Sequence, residues 1–242
     1  MNLIIDVGNT KVKLAVFKEQ ELIKKVNATH KNFINKAFEL QKKYQDLNRC
    51  IVSSVGKISD IDQDKLYSSF NPLVLSSSTD IPFKNNYETP TTLGVDRIAL
   101  VSASVNKYPD KNVLVIDAGT CITYDFINSD NEYLGGAISP GINMRYKALH
   151  NLTAKLPLLQ TKNPKGLIGK STSESIHSGV INGILKEIDG IVQDYEKKYQ
   201  DLTVILTGGD AKFLSKQLKS TIFANSNFLL EGLNFILEYN TN

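Results

Sequence analysis

The sequence predicts an α/β fold in two lobes, and three observations predict it. Apolar runs with the two-residue alternation of strands take turns with segments of helical spacing. The order strand, strand, strand, helix begins the chain and restarts after residue 109, and both copies open on an apolar run that ends in Asp-x-Gly and a threonine. A chain of 242 residues can bury a sizeable core as one large domain or as two small lobes. The restart favours two, residues 1–108 and 109–242.

Taken in order, residues 2–5 are an apolar run, and in residues 11–17 Val12, Leu14 and Val16 alternate with polar neighbours. "KEQE" is a polar turn and "LIKKV" a third strand. "NFINKAFELQKKY" sets Phe33, Ile34, Ala37, Phe38 and Leu40 at helical spacing. "CIVSSV" and "PLVL" add short strands with a helix between them. "GVDRIALVSASVNKY" is a helix that follows a loop rich in Thr and Pro. The second lobe repeats the order: "NVLVIDAGT", "CITYDFI" and "YLGGAI" are strands, and "SPGINMRYKALHNL" a Pro-Gly turn and helix. After the loop "QTKNPKG" a long helix keeps Ile176, Val180, Ile184, Ile188 and Ile191 on one apolar face. A strand "LTVILTGGD", a helix from Ala211, a short strand near Ile222 and a terminal helix from Phe228 complete the chain.

Bulk composition removes several classes of function. Lys and Arg number 28 against 25 Asp and Glu, and a net charge of +3 does not argue for nucleic acid or a membrane surface. Cys50 and Cys121 each lie in an apolar run, which reads as two buried thiols in a reducing compartment rather than a disulfide framework. Asp6 interrupts the N-terminal run before a signal-peptide core forms, and no apolar stretch is long enough to span a bilayer. The expectation is a cytoplasmic protein.

The chemistry begins at the two turns. Ile4-Ile5-Asp6-Val7-Gly8 matches Val115-Ile116-Asp117-Ala118-Gly119, and Thr10 matches Thr120 if Asn9 is one inserted residue. A glycine after a strand opens backbone angles closed to other residues and lets a bulky anion approach main-chain N–H groups. Asn9 and Thr10 supply neutral hydrogen-bond groups, and Lys11 and Lys13 supply positive charge. Asp6 supplies a carboxylate for the hydrated Mg²⁺ that accompanies ATP. Asp117, Gly119 and Thr120 supply the opposing half, so that two turns grip two ends of one polyphosphate. The plainer reading is a pair of hairpin turns, where Asp and Gly are common anyway. A pepsin-like protease fits poorly, because Val7 and Ala118 stand where that class carries Thr or Ser and long helices do not suit an all-β enzyme.

"PKGLIGKS" is one residue short of a P-loop, has Pro164 in place of the first glycine, and follows no strand. Ser171 and Glu174 instead have the spacing of a capping box, so a helix start is expected there. The loop "YETPTTLGVDR" is the candidate for the reacting substrate. Asp96, where a helix begins, is placed to accept the proton of a substrate hydroxyl, and Arg97 beside it to orient an anionic group. The plainer alternative is an acid favoured by the helix dipole next to a solvated arginine.

Seven segments, "DVGNTKVKLAVF", "TLGVDR", "VLVIDAGT", "GGAISPG", "AKLP", "GKST" and "LTGGDA", resemble in order those of the type III pantothenate kinases, a family once described as Bvg accessory factor homologues. The resemblance runs from Asn2 to the final helix. It implies the acetate and sugar kinase/heat-shock protein/actin superfamily, with two ribonuclease-H-like lobes and ATP in the cleft between them. It implies phosphorylation of the primary hydroxyl of pantothenate by ATP, the first step of coenzyme A biosynthesis. Asp6, Val7, Gly8, Asn9, Thr10, Lys11, Val12 and Lys13 resemble the first phosphate loop, and Asp96 resembles the general base. Gly94, Val95 and Arg97 would line the pantothenate site with Tyr87 and Thr172. Asp117 resembles the ligand of a monovalent cation, K⁺ or NH₄⁺, and Thr120 a phosphate contact. Gly208 and Gly209 resemble the adenosine turn, where absent side chains would leave room for base and ribose. The family is dimeric, which implies a homodimer with the long helix and Pro140-Gly141 near its interface and the partner closing part of the pantothenate pocket. Two rivals remain at this point: a sugar or acetate-type kinase on the same scaffold, and a non-catalytic nucleotide-binding regulator.

Overall fold

The computed structural model describes residues 1–54, 56 and 58–241 and divides the chain into two compact units. The first unit holds Met1–Asp110, Asp130–Leu134 and the segment from Asn227 onward; the second holds Lys111–Ser129 and Gly135–Ser226.

In chain order the elements are β1 (Asn2–Val7), β2 (Val12–Lys18), β3 (Glu21–Ala28), α1 (Phe33–Lys43), β4 (Arg49–Ser54), α2 (Asp60–Phe70), β5 (Leu73–Val74), β6 (Lys84–Asn85) and α3 (Val95–Lys107). They continue with β7 (Val113–Ala118), β8 (Cys121–Ile127), β9 (Glu132–Pro140), α4 (Ile142–Asn151), α5 (Thr172–Lys198), β10 (Thr203–Thr207), α6 (Ala211–Leu214), β11 (Phe223–Ala224) and α7 (Phe228–Tyr239). The strand expected from "CIVSSV" is β4; its last residue, Val55, lies outside the described residues.

The sheet of the first unit runs β3-β2-β1-β4-β5, with β2 antiparallel to β1 and β4 parallel to it. Leu3, Ile5 and Val7 of β1, Val12, Leu14 and Val16 of β2, and Cys50 and Val52 of β4 form one core with Phe33, Ile34, Ala37 and Leu40 of α1 and Leu66 of α2. The period of two then sends Asp6, Lys13 and Ser53 to the opposite face, where α3 and α7 pack. Phe38 departs from its expected place: it is 37% exposed and lies against Phe70, with ring centroids 5.5 Å apart. The terminal helix closes back on the start of the chain, since Asn2 Nδ2 donates to Asn234 Oδ1 at 2.8 Å and Lys107 pairs with Glu231 at 2.8 Å. A single cut after residue 108 would assign α7 to the second lobe, whereas it packs with the first.

The second sheet runs β11-β10-β7-β8-β9, with β8 antiparallel to β7 and β10 and β11 parallel to their neighbours. Counted within each half, both sheets have the order 3-2-1-4-5, so the weak duplication in sequence is a full duplication of topology. α5 covers this sheet with Ile176, Val180, Ile181, Ile184 and Ile188. Val192, fully buried, takes the last place on that stripe, and Ile191 is only partly buried. β6 adds to the start of β9 through Lys84–Glu132 and Asn85–Tyr133, residues that belong to the first unit.

Candidate active site

The two hairpins differ as their sequences require. Val7 pairs with Val12, leaving four residues in the first turn, and Ala118 pairs with Ile122, leaving three in the second. In each the glycine N–H donates across the loop, Gly8 to the Lys11 carbonyl at 3.2 Å and Gly119 to the Cys121 carbonyl at 2.9 Å. The first turn is therefore one residue longer, as the match of Thr10 with Thr120 requires.

In the first unit the carbonyls of that turn are occupied from behind: Gly56 N–H donates to Val7 O at 3.1 Å and His30 Nε2 lies 2.9 Å from Gly8 O. The N–H groups of Asn9 and Thr10 take no backbone partner among the described residues, and both residues are exposed. Such a loop offers donors rather than acceptors, which suits an anion. Asp6 is 4% exposed and pairs with Lys13 Nζ at 3.0 Å, so each charge expected for the nucleotide is held by the other. Lys25, which the sequence reading missed, joins this basic group. Burial lowers its pKa, and the charges of Lys13 and Lys11 lower it further. A lysine whose charge is disfavoured by burial and by neighbouring cations favours a polyanion beside it.

Ser53 is the other neglected residue. It stands beside Asp6 in the β1–β4 register, is fully buried, and its hydroxyl has no hydrogen-bond partner among the described residues.

Asp96 occupies the second residue of α3, after a Gly94 cap that has no side chain to offer. A Cβ on Gly94 would lie 2.5 Å from Asp96 Oδ1, so the glycine leaves the carboxylate its space. Arg97 N–H donates to that oxygen at 2.9 Å. Burial pushes the carboxyl above the usual carboxylate range; the Arg97 N–H opposes this, and the charge of Asp6 adds to it. Val95 is half-buried beside it. The loop before α3 carries internal bonds: Thr92 Oγ1 donates to Thr89 O at 2.9 Å, and residues 90–92 make one 3₁₀ turn.

Arg97 is not the solvated residue of the plain alternative. It is 5% exposed, with its guanidinium 5.5 Å from the ring centroid of Tyr87 and 6.0 Å from that of Tyr133. Tyr133 is fully buried and stacks on Tyr87 at 6.1 Å. No spacing in the sequence marks Tyr133, because the β6–β9 pairing brings it there.

In the second unit the turn Asp117–Thr120 is braced on two sides. Gly141, the cap of α4, donates to Thr120 O at 3.2 Å, and a Cβ on it would lie 2.3 Å from Gly119 O. Gly208 has φ +95°, and a Cβ there would lie 2.3 Å from Ala118 O and 2.4 Å from Asp117 Oδ1. Gly208 is therefore a glycine because it packs against this turn, a different reason from space for a base. Gly209 has nothing within 4 Å of a Cβ and is the open member of the pair. Thr172 begins α5 and is exposed. Ser171 caps that helix, accepting from Glu174 N–H, and Glu174 returns to Lys170 N–H at 3.0 Å, so "PKGLIGKS" is a helix start. A cavity of about 450 Å³ lies along α5, lined by residues such as Leu167, Ser175, Gly179 and Lys186, and none of the residues assigned to chemistry lines it. Among the described residues no three His, Cys, Asp or Glu side chains gather as a metal site. Any cation at this turn would have one carboxylate, with carbonyls, hydroxyls and water, to hold it.

A family model for type III pantothenate kinase matches residues 2–194. A type III pantothenate kinase of Christiangramia forsetii is 55% identical over 240 residues, covering 99% of each chain. That of Flavobacterium psychrophilum is 47% identical over 243 residues, again with 99% of each covered. Among solved structures, a Baf family protein of Campylobacter jejuni is similar at a TM-score of 0.65 and 22% identity over 98% of each chain. The ADPNP-bound activator of 2-hydroxyisocaproyl-CoA dehydratase from Clostridium difficile scores 0.53 at 12% identity, with 99% of this chain and 93% of that one covered. An inorganic polyphosphate/ATP-glucomannokinase from Arthrobacter sp. strain KM scores 0.51 at 14%, with 99% and 98% covered. At such identities the structures speak to fold alone, and that fold is shared with the dehydratase activator and the glucomannokinase. The extent of the sequence matches decides the rest: the chain belongs to the type III pantothenate kinase family.

Proposed function

We propose that this chain transfers the γ-phosphoryl group of ATP to the primary hydroxyl of pantothenate, the first step of coenzyme A biosynthesis, with Asp96 as general base. One observation carries the assignment of the base: a half-buried carboxylate with a raised pKa stands at a helix start, within the field of the phosphate-turn carboxylate Asp6. The acceptor oxygen bonds to the γ-phosphorus, the bond from that phosphorus to ADP breaks, and the hydroxyl proton passes to Asp96. Transfers of this kind pass through a loose transition state, so alignment and charge neutralisation outweigh proton removal.

The chain's own groups divide that work. In the first unit the N–H groups of Asn9 and Thr10, with Lys11 and Lys13, hold phosphate oxygens, and in the second Thr120 offers a hydroxyl suited to phosphate. Gly209 leaves space for the adenosine, while Gly208 fixes the position of the second turn. In the first unit Tyr87, Gly94 and Val95 bound the acceptor, and the charge of Arg97 behind Tyr87 favours an anionic one such as pantothenate. Asp6, with the unpartnered Ser53 hydroxyl beside it, fits the hydrated Mg²⁺ that accompanies ATP and neutralises phosphate charge when bound. Asp117 fits K⁺ or NH₄⁺, which would offset its repulsion of the phosphates. A cytoplasmic homodimer is part of the same proposal, as the family resemblance implies. The exposed Ile138 and Met144, at 64% and 41%, support an apolar surface for the partner, and no described helix is long and apolar enough to cross a membrane.

The test is ADP release measured with pantothenate, a hexose and acetate in parallel, with and without K⁺. Release that depends on pantothenate alone is expected. Release with the hexose or acetate would favour a different acceptor, and no release with any would favour the regulator.

A further inference from the structure

In the first unit Lys13, Asp6 and Ser53 stand side by side on adjacent strands, on the face opposite the apolar core. Lys13 takes Asp6 Oδ2 at 3.0 Å. Ser53 is fully buried and its hydroxyl has no partner among the described residues. A buried hydroxyl that makes no hydrogen bond is costly, and alanine would fill the same space without that cost. Packing therefore explains a small residue here but not a serine. A hydroxyl accepts from a metal-bound water and also has a proton to donate to a neighbouring carboxylate. Mg²⁺ keeps several of its waters and takes only one or two carboxylates from a protein.

We infer that Ser53 is a positioning residue whose hydroxyl accepts a hydrogen bond from a water of the divalent ion held at Asp6. This rests on the phosphoryl-transfer reading above. Among the described residues the hydroxyl has no partner, and a water of the bound ion would supply one. Ser53 thus trades stability of the empty enzyme for the place of the ion, and through the ion for the angle of the phosphates.

The experiment compares the full-length wild type with Ser53→Ala and Ser53→Thr. It measures Mn²⁺ affinity for the protein–ADPNP complex by electron paramagnetic resonance, the Mg²⁺ concentration that half-saturates turnover, KM for pantothenate, and the ligand-free unfolding temperature. In Ser53→Ala both ion constants weaken about 3- to 10-fold, the size of one neutral hydrogen bond. KM for pantothenate is unchanged and the unfolding temperature is unchanged or higher, while Ser53→Thr restores ion binding. An Mn²⁺ affinity equal to wild type in Ser53→Ala overturns the inference, as does a loss matched by a lower ligand-free unfolding temperature. If Ser53→Ala does not fold, Ser53→Cys against Ser53→Thr decides: weaker ion binding in the first alone supports the role, and equal binding overturns it. A wild type without pantothenate-dependent turnover would remove the proposed reaction, and the Mn²⁺ comparison would still judge Ser53.

Discussion

Gly208→Ala is the sharpest perturbation the second unit offers, because backbone and space both forbid a side chain there. At φ +95° an alanine is strained, and its Cβ would lie 2.3 Å from Ala118 O and 2.4 Å from Asp117 Oδ1. Backbone strain of this kind costs on the order of 1–3 kcal/mol, and overpacking a well-filled site costs on the order of 1–3 kcal/mol more. A combined loss of about 4 kcal/mol lowers the unfolding temperature of a chain this size by about 8–16 °C. Restoring ordinary contact moves the Asp117–Thr120 turn by about 1 Å, and a misplacement of that size costs on the order of 10²-fold in turnover. Gly209→Ala is the control. Nothing lies within 4 Å of its Cβ, so stability holds within about 0.5 kcal/mol while KM for ATP rises if the nucleoside rests there. Thermal unfolding and ADP-release kinetics on both variants decide. A Gly208→Ala protein that melts within about 2 °C of wild type would refute the reasoning.

Asp96→Asn should fold at least as stably as wild type and lose about 10²–10⁴ in kcat; activity within a few-fold of wild type removes the base assignment. The sign follows from the raised carboxyl pKa: such a group stabilises the fold below its unfolded pKa, and that stability is lost as pH rises through the folded value, so at neutral pH the buried charge is a cost that Asn relieves. For the same reason kcat/KM should fall on the acid side with an apparent pKa above that of an ordinary aspartate, and a profile flat down to the ordinary range would contradict it. Replacing K⁺ by Na⁺ should slow turnover, and indifference to the swap counts against a cation at Asp117. Under native conditions a thiol reagent should label Cys121, which is half-buried, and spare Cys50, whose thiol burial pushes up to about 12; equal labelling of both would be the contrary result.

Much of this molecule is written in short-range pattern. The alternation of Val12, Leu14 and Val16, the spacing of Phe33, Ile34, Ala37 and Leu40, and the cap at Ser171 each depend on residues within a turn or two of one another, and these elements formed as read. The repeated Asp-x-Gly turns were legible for the same reason, down to the one extra residue that lengthens the first hairpin. Where local pattern misled, a distant partner intervened: Phe38 found Phe70, and Val192 rather than Ile191 met the second sheet.

By itself, then, the sequence determined the strands and helices, the duplicated order, the two turns and the family likeness, because each is carried by residues close along the chain or by motifs in series. Only the tertiary structure decided that Ser53 stands beside Asp6, that Tyr133 and Tyr87 enclose Arg97, that Gly208 is crowded by Ala118, and that α7 packs with the first unit. Each of these depends on strand register and on which remote segments meet. Those are settled by the burial of whole faces at once, and local spacing does not encode it.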